Sequence, residues 1–369
     1  MAEWLRAIGL MSGTSMDGVD VAVIETDGER IGWRGPGRTF PYPSSLRTRL
    51  ECAVREAGGG REDVVALEAD LTEAHAVATL ALIAELSPER RAVDLVGFHG
   101  HTLWHRPEQR RTCQLGDGPR LAMRLGIDVV YDFRSADVAA GGQGAPLAPV
   151  YHQALAAGLA GPVAVLNLGG VGNLTWIGKG GPIAFDTGPG NGLLDDWVRA
   201  RSDRPYDLDG RIAAAGGIDQ ARLAALLAHP YFEQAPPKSL DRLDFTLAPL
   251  EGLGLEDGAA TLAAFTARAV ARARAHLPAP PRRWLVTGGG RHNATLMRML
   301  AQALDVPVEP IETIGCDGDA LEAQAFAFMA VRSVRGLPIS FPNTTGAPAP
   351  LCGGRLARAS HPAGSGLER

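Results

Sequence analysis

Hydroxyl, glycine and acidic residues crowd Gly9–Asp20, GLMSGTSMDGVD. Gly13, Thr14, Ser15, Met16, Asp17, Gly18, Val19 and Asp20 form its distal part. Such a stretch suits an anion. Glycines let backbone approach phosphate closely, and N–H groups with hydroxyls grip its oxygens. Asp17 and Asp20 are available to a magnesium ion, usually through water. A hairpin turn that binds nothing has the same composition.

Asp186, in AFDTGPGN, is the sharpest candidate for a general base. A carboxylate placed where a buried strand ends can reach a hydroxyl or a water in a cleft. A helix cap or an Asx turn would also favour aspartate there. Thr187, Gly188, Gly190 and Asn191 make the following turn polar enough to contact a ligand. Gly288-Gly289-Gly290 and Asn293, in TGGGRHN, suit close approach of a phosphate or a flat ring. Arg134 in DFR could clamp an anion bidentately, or pair with Asp132 or Asp137. Glu322 lies on a helix whose other face is apolar. His99, His101 and His105 of HGHTLWH could form a metal cluster, but no partner spacing completes one. Packing or hydrogen bonding near a ligand pocket is the preferred reading.

The elements that must position these residues follow from periodicity. Leu5–Met11 and Val19–Ile24 read as strand, tight turn, strand. The segment VAVLNLGGVGNLTWIG, containing Gly170 and Asn173, repeats that plan about 150 residues on, which suggests an internal duplication. Asp94–Phe98, Ile127–Tyr131, Ile183–Phe185 and Trp284–Thr287 are further short strands. Helices are predicted over 61–86, 147–158, 193–201, 257–277, 293–304 and 319–334, with Asn293 as an N-cap.

At 369 residues the chain is long enough for two domains. The net charge of −5 argues against nucleic-acid and anionic membrane surfaces. Lys179 and Lys238 are the only lysines. Cys52, Cys113, Cys316 and Cys352 are too scattered for a zinc site or disulfide framework. No signal peptide or membrane span is expected, so a cytoplasmic protein is. GTSM also surrounds the nucleophile of subtilisin-like peptidases, but no Asp or His precedes Ser15, against the order that triad needs. A Walker A motif and a complete GxGxxG are both lacking.

Taken together, GLMSGTSMDGVD, GFHGHTLWHRP, QLGDG, DFRSADVAAGGQGAPLAP, NLGGVGNLT, FDTGPGN, TGGGRHN and GDALEAQAFAFMAVR resemble the anhydro-N-acetylmuramic acid kinase family, in order and over nearly the whole chain. The resemblance implies an α/β fold with two ribonuclease-H-like domains of the sugar kinase and actin superfamily and an interdomain cleft. The domains are expected at 1–145 and 146–369, with the C-terminal helix free to pack back on the first. The implied reaction takes ATP, water and 1,6-anhydro-N-acetylmuramic acid to N-acetylmuramic acid 6-phosphate and ADP, in cell-wall recycling. Asp186 would activate water. Gly13–Asp20, with Gly170 and Asn173, would hold the nucleotide and, through Asp17 and Asp20, Mg²⁺. Gly288–Gly290 and Asn293 would lie near the adenosine. His99, Arg134, Thr187, Gly188, Asn191 and Glu322 would contact the sugar. A homodimer closing around its ligands is also implied. The competing readings are a kinase of the same superfamily for another amino sugar, and a non-catalytic sugar- or nucleotide-binding regulator. One departure is Cys352, where the family usually continues from leucine to glycine.

Overall fold

The computed structural model describes residues 3–13, 15–56, 63–240 and 244–359. Thr14, expected in the phosphate turn, lies outside them. The described residues divide into two compact units, one drawn from Met1–Leu155 and Asp319–Arg369, the other from Ala156–Gly318.

The first unit contains β1 (Leu5–Ser12), β2 (Gly18–Thr26), β3 (Ile31–Pro41), β4 (Leu95–Arg106), β5 (Arg111–Leu115) and β6 (Val129–Tyr131). Its sheet has seven strands among the described residues, in the order β3-β2-β1-β4-β6 and then Arg355–Ala357, with β5 on the outer part of β4. β1, β2 and β3 are antiparallel, whereas β1, β4 and β6 run parallel. The second unit contains β7 (Val163–Leu168), β8 (Val171–Gly178), β9 (Gly181–Pro189), β10 (Arg283–Thr287) and β11 (Val308–Pro310). Their order is β9-β8-β7-β10-β11, with the same senses at each step. One plan is therefore used twice: an antiparallel meander continued by parallel strands. This is the duplicated pair of ribonuclease-H-like domains implied by the sequence.

Against the expected 1–145 and 146–369 the boundary lies later, and the return allowed for the C-terminal helix is present. The first unit runs on to Leu155, and residues 319 onward return to it. Packing explains the return. The helix Leu321–Val334 buries Leu321, Ala323, Phe326, Phe328, Met329 and Val331. A helix apolar on nearly every side must be enclosed, and this one lies on β1, β2 and β4. Two glycines permit the approach. A Cβ on Gly9 would overlap the Ala323 carbonyl, and one on Gly97 the Phe326 carbonyl. Tyr151 ties the end of the first segment to this helix, its hydroxyl donating to Gln324 Oε1 at 2.7 Å.

Hydrophobic alternation places the other core. Ile8, Leu10, Val21, Val23, Val96 and Phe98 face the helices Ser44–Arg55 and Val64–Glu85. In the second unit Ala164, Leu166, Trp284 and Val286 meet Leu296 and Leu300 of the helix Ala294–Leu304. Two strands outrun their expected ends. β4 carries His99–His105 inside it because β5 pairs with its outer part. β9 continues through Asp186 to Pro189 because β8 pairs with it that far.

Candidate active site

The first hairpin turns between β1 and β2. Ser12, the last residue of β1, is buried. Tyr42 donates to its Oγ at 2.8 Å, and Ser12 Oγ lies 2.9 Å from His101 Nδ1. The turn itself is tied by Met16 N to the Gly13 carbonyl at 3.1 Å and by Tyr42 N to the Asp17 carbonyl at 3.1 Å. Val19 belongs to the core, and it pairs with Phe40 in the β2–β3 ladder. Ser15 Oγ donates to Asp17 Oδ1 at 2.6 Å, and Thr39 Oγ1 to Asp20 Oδ1 at 2.6 Å. Burial pushes the Asp20 carboxyl up to about 6 against the pull of Thr39, and Asp17, Glu322 and Asp319 add to the rise.

Glu322 reaches this acidic neighbourhood from the C-terminal helix, a placement its sequence position does not suggest. Burial raises its carboxyl, and the Arg134 guanidinium opposes that rise. Arg134 Nε donates to His99 Nε2 at 3.1 Å, and its Nη1 to the Gly144 carbonyl at 2.7 Å. Burial brings Arg134 down to about 10, so it remains a cation at neutral pH. Asp137, the alternative partner, instead accepts from Gly144 N and Thr345 Oγ1, both at 2.6 Å. The three histidines of HGHTLWH serve different neighbours. His99 meets Arg134, His101 meets Ser12, and His105 lies 2.9 Å from Thr112 Oγ1 and 2.7 Å from the Gln143 carbonyl. Among the described residues no three His, Cys, Asp or Glu side chains are grouped to hold a metal ion.

In the second unit the glycine-rich turns gather at the carboxyl ends of β7 and β10. Gly190 N and Gly192 N donate to the Gly170 carbonyl at 3.1 and 3.2 Å, and Asn191 N to the Gly169 carbonyl at 2.7 Å. A Cβ on Gly290 would crowd both Leu168 and the Asn191 amide, so Gly288–Gly290 meets the same place. Asn293 caps the next helix, accepting from Leu296 N at 2.9 Å. Carboxyl ends of parallel strands are where α/β sheets bind ligands. Two buried polar atoms here have no partner in the structure, Thr187 Oγ1 and Asn191 Oδ1. A buried polar atom without a hydrogen bond is costly.

Asp186 is half-buried on β9. Asn173 Nδ2 donates to its Oδ1 at 2.9 Å and Leu240 N to its Oδ2 at 2.8 Å. Burial raises its carboxyl, and these two hydrogen bonds pull it down. Tyr231 donates to the Asp186 carbonyl at 2.6 Å. Tyr42, Tyr231 and the Leu240 amide were not apparent from the sequence. Lys238, whose carbonyl accepts from Asp186 N at 3.1 Å, carried one signal, its rarity in an arginine-rich chain.

Residues 5–358 match the family described as anhydro-N-acetylmuramic acid kinase. The chain belongs to the anhydro-N-acetylmuramic acid kinase family. The Rhodospirillum rubrum protein of that name is 58% identical over 356 residues, covering 96% of this chain and 94% of its own. The Paramagnetospirillum magneticum protein of that name is 56% identical over 355 residues, covering 95% and 99%. Among solved structures, component A of the Acidaminococcus fermentans (R)-2-hydroxyglutaryl-CoA dehydratase covers 90% of this chain and 99% of its own, at 12% identity and a TM-score of 0.47. The family assignment rests on the sequence matches.

Proposed function

We propose that this chain is the kinase that opens 1,6-anhydro-N-acetylmuramic acid with water and phosphorylates it from ATP, giving N-acetylmuramic acid 6-phosphate and ADP in cell-wall recycling. The observation that carries the reading is Asp186, a half-buried carboxylate whose burial makes it a stronger base and whose oxygens each accept one hydrogen bond.

Asp186 takes a proton from water while the water oxygen bonds to the anomeric carbon. The bond from that carbon to the bridging oxygen breaks. The freed oxygen bonds to the γ-phosphorus as the bond to the β-phosphate oxygen breaks, releasing ADP. Glycoside cleavage ordinarily needs a general acid for the leaving oxygen; here the phosphoryl group takes that oxygen instead. Phosphoryl transfer depends on positioning and charge neutralisation. Backbone and hydroxyls of Gly13–Asp20 position the phosphates. The Gly170 turn, Gly288–Gly290 and Asn293 accommodate the rest of the nucleotide. The sugar contacts implied by the family resemblance are His99, Arg134, Thr187, Gly188, Asn191 and Glu322.

The donor set fits a hydrated magnesium ion. Burial raises the Asp20 carboxyl first, and Asp17, Glu322 and Asp319 add to the rise, which marks several carboxyls near one another. Asp17 and Asp20 would hold the ion through water, and it would neutralise phosphate charge. A cytoplasmic homodimer completes the reading and rests on the family resemblance.

The test is ADP release with Mg-ATP, comparing 1,6-anhydro-N-acetylmuramic acid, N-acetylmuramic acid and N-acetylglucosamine. Release with the anhydro sugar alone is expected. Release with an ordinary hexosamine overturns the substrate and the water-activating role. No release with any sugar points to a binding protein.

A further inference from the structure

Asp186 sits at an irregularity in the β8–β9 ladder. Gly172 pairs with Gly188, but Asn173 pairs with Asp186, so Thr187 is an extra residue on β9. Such a bulge re-aims the side chains beside it. It places Asp186 directly opposite Asn173 on the neighbouring strand, and the two side chains close the 2.9 Å hydrogen bond.

The rest of the Asp186 surround is backbone and the Tyr231 hydroxyl. Leu240 N holds the other carboxylate oxygen, Lys238 O accepts from Asp186 N, and Tyr231 Oη donates to the Asp186 carbonyl. The segment from Tyr231 to Leu240 therefore fixes the main chain and one oxygen. Asn173 is the only side chain that hydrogen-bonds the carboxylate among the described residues. An amide donor has a second consequence. It donates a hydrogen bond while keeping its proton, so it favours the charged carboxylate without competing for the proton taken from water.

From the pairing register and the hydrogen bond we infer that Asn173 is a positioning residue for the Asp186 base, fixing the plane of its carboxylate and keeping it ionised. This rests on the reading of Asp186 as the base, and it moves Asn173 from the nucleotide to the reacting water. The titratable and charged groups around Asp186 are few. Tyr231 lies against its carbonyl and stays protonated because burial raises it. Asp244 acts on Tyr231, while Lys238 and His276 lie against the Phe185 ring. Glu233 acts on Lys238 and His276. None of these accepts or donates at the carboxylate oxygens.

The experiment is the pH dependence of kcat and kcat/KM for the full chain, with Asn173→Ala and Asn173→Ser measured in parallel and folding checked by thermal melting. Losing the amide should lower kcat by about 100-fold through misaim of the base. It should also move the acidic limb up by about one pH unit, because burial is then opposed by one hydrogen bond instead of two. The ATP KM should stay within about twofold, since on this inference Asn173 supplies no ground-state nucleotide binding. An unmoved limb in a folded variant, or a loss confined to the ATP KM, overturns the inference. Asp186→Asn separates the two ideas. If it still turns over, the base assignment falls and the positioning role with it. If it is inactive while the Asn173 limb stays put, the role of Asn173 alone is refuted.

Discussion

Arg134 donates from Nε to Nε2 of His99 across 3.1 Å, and this fixes the histidine tautomer. A guanidinium cannot accept, so His99 Nε2 is the bare nitrogen and Nδ1 carries the proton. Nδ1 then donates to the Gly100 carbonyl at 2.8 Å. Burial, with the cation beside it, holds the imidazole well below its ordinary range. His99 should therefore give a neutral, Nδ1-protonated nitrogen signature at pH 5 by NMR. An imidazolium signal at that pH contradicts the pairing.

Arg134 uses two edges of a planar fork, one on His99 and one on the Gly144 carbonyl. A lysine has no fork and would reach one of them at best. Arg134→Lys should raise the KM for the sugar by roughly 10- to 100-fold, the worth of one charge-assisted hydrogen bond, and leave the ATP KM near its original value. An equal rise in both would place Arg134 outside the sugar site.

Asp20 gives a pH dependence of known sign. Its carboxyl is raised to about 6, so it is anionic above that pH and neutral below. A cation held through Asp20 should bind progressively more weakly as pH falls below 6, by about tenfold per pH unit at the limit. The magnesium concentration for half-maximal rate, measured between pH 7 and 5, checks this. Asp20→Asn should flatten that dependence; an unchanged slope in the variant removes Asp20 from the metal site.

The turn Gly13–Asp20, the glycine-rich turns and Asp186 stand out in the sequence as candidates, because each is a local cluster of residue types with few other uses. What surrounds them was not. Glu322 and Arg134 lie far apart in sequence, and only the folding of the C-terminal helix onto the first sheet lets each act on the other's charge. The hydrogen bond from Leu240 is made by main chain, which carries no residue signature. The strand through Asp186 was read short because its glycines and proline resemble a turn, and only pairing with β8 keeps it extended. The duplicated plan was visible as two hairpins, whereas the outer strands β3 and β5 were missed. β3 is rich in glycine and β5 is only five residues long.

Buried histidines set the acid limit of stability. His75, His101 and His152 are each lowered to about 4 by burial, and burial holds His99 well below its ordinary value. Below about 6.5 the unfolded chain takes up protons that the folded chain refuses, so stability falls as pH falls. Each such imidazole costs about 1.4 kcal/mol per pH unit between 6.5 and its folded value. The raised carboxyls of Asp20, Asp186 and Glu322 act in the opposite sense, but fewer in number. Urea unfolding at pH 6.5 and 4.5 should show a net loss at the lower pH. Equal stability at both would mean that these imidazoles are not buried neutral.

Gly9 and Gly97 bear the weight of the C-terminal helix, and a side chain at either meets helix backbone, which cannot rotate away. Gly9→Ala should destabilise the first unit by about 3 kcal/mol or more, as overpacking at a fixed backbone does. A denaturation midpoint within error of the original would show that the helix can shift freely.

That helix also orders events during synthesis. The second unit is one continuous stretch, Ala156–Gly318, and all of it is synthesised before the helix Leu321–Val334. The first unit, begun earlier, still lacks the element that covers Gly9 and Gly97. Synthesis therefore completes the later unit before the earlier one. The turn between β1 and β2, although near the start of the sequence, rests on a unit that is complete only after the helix Leu321–Val334 has been made.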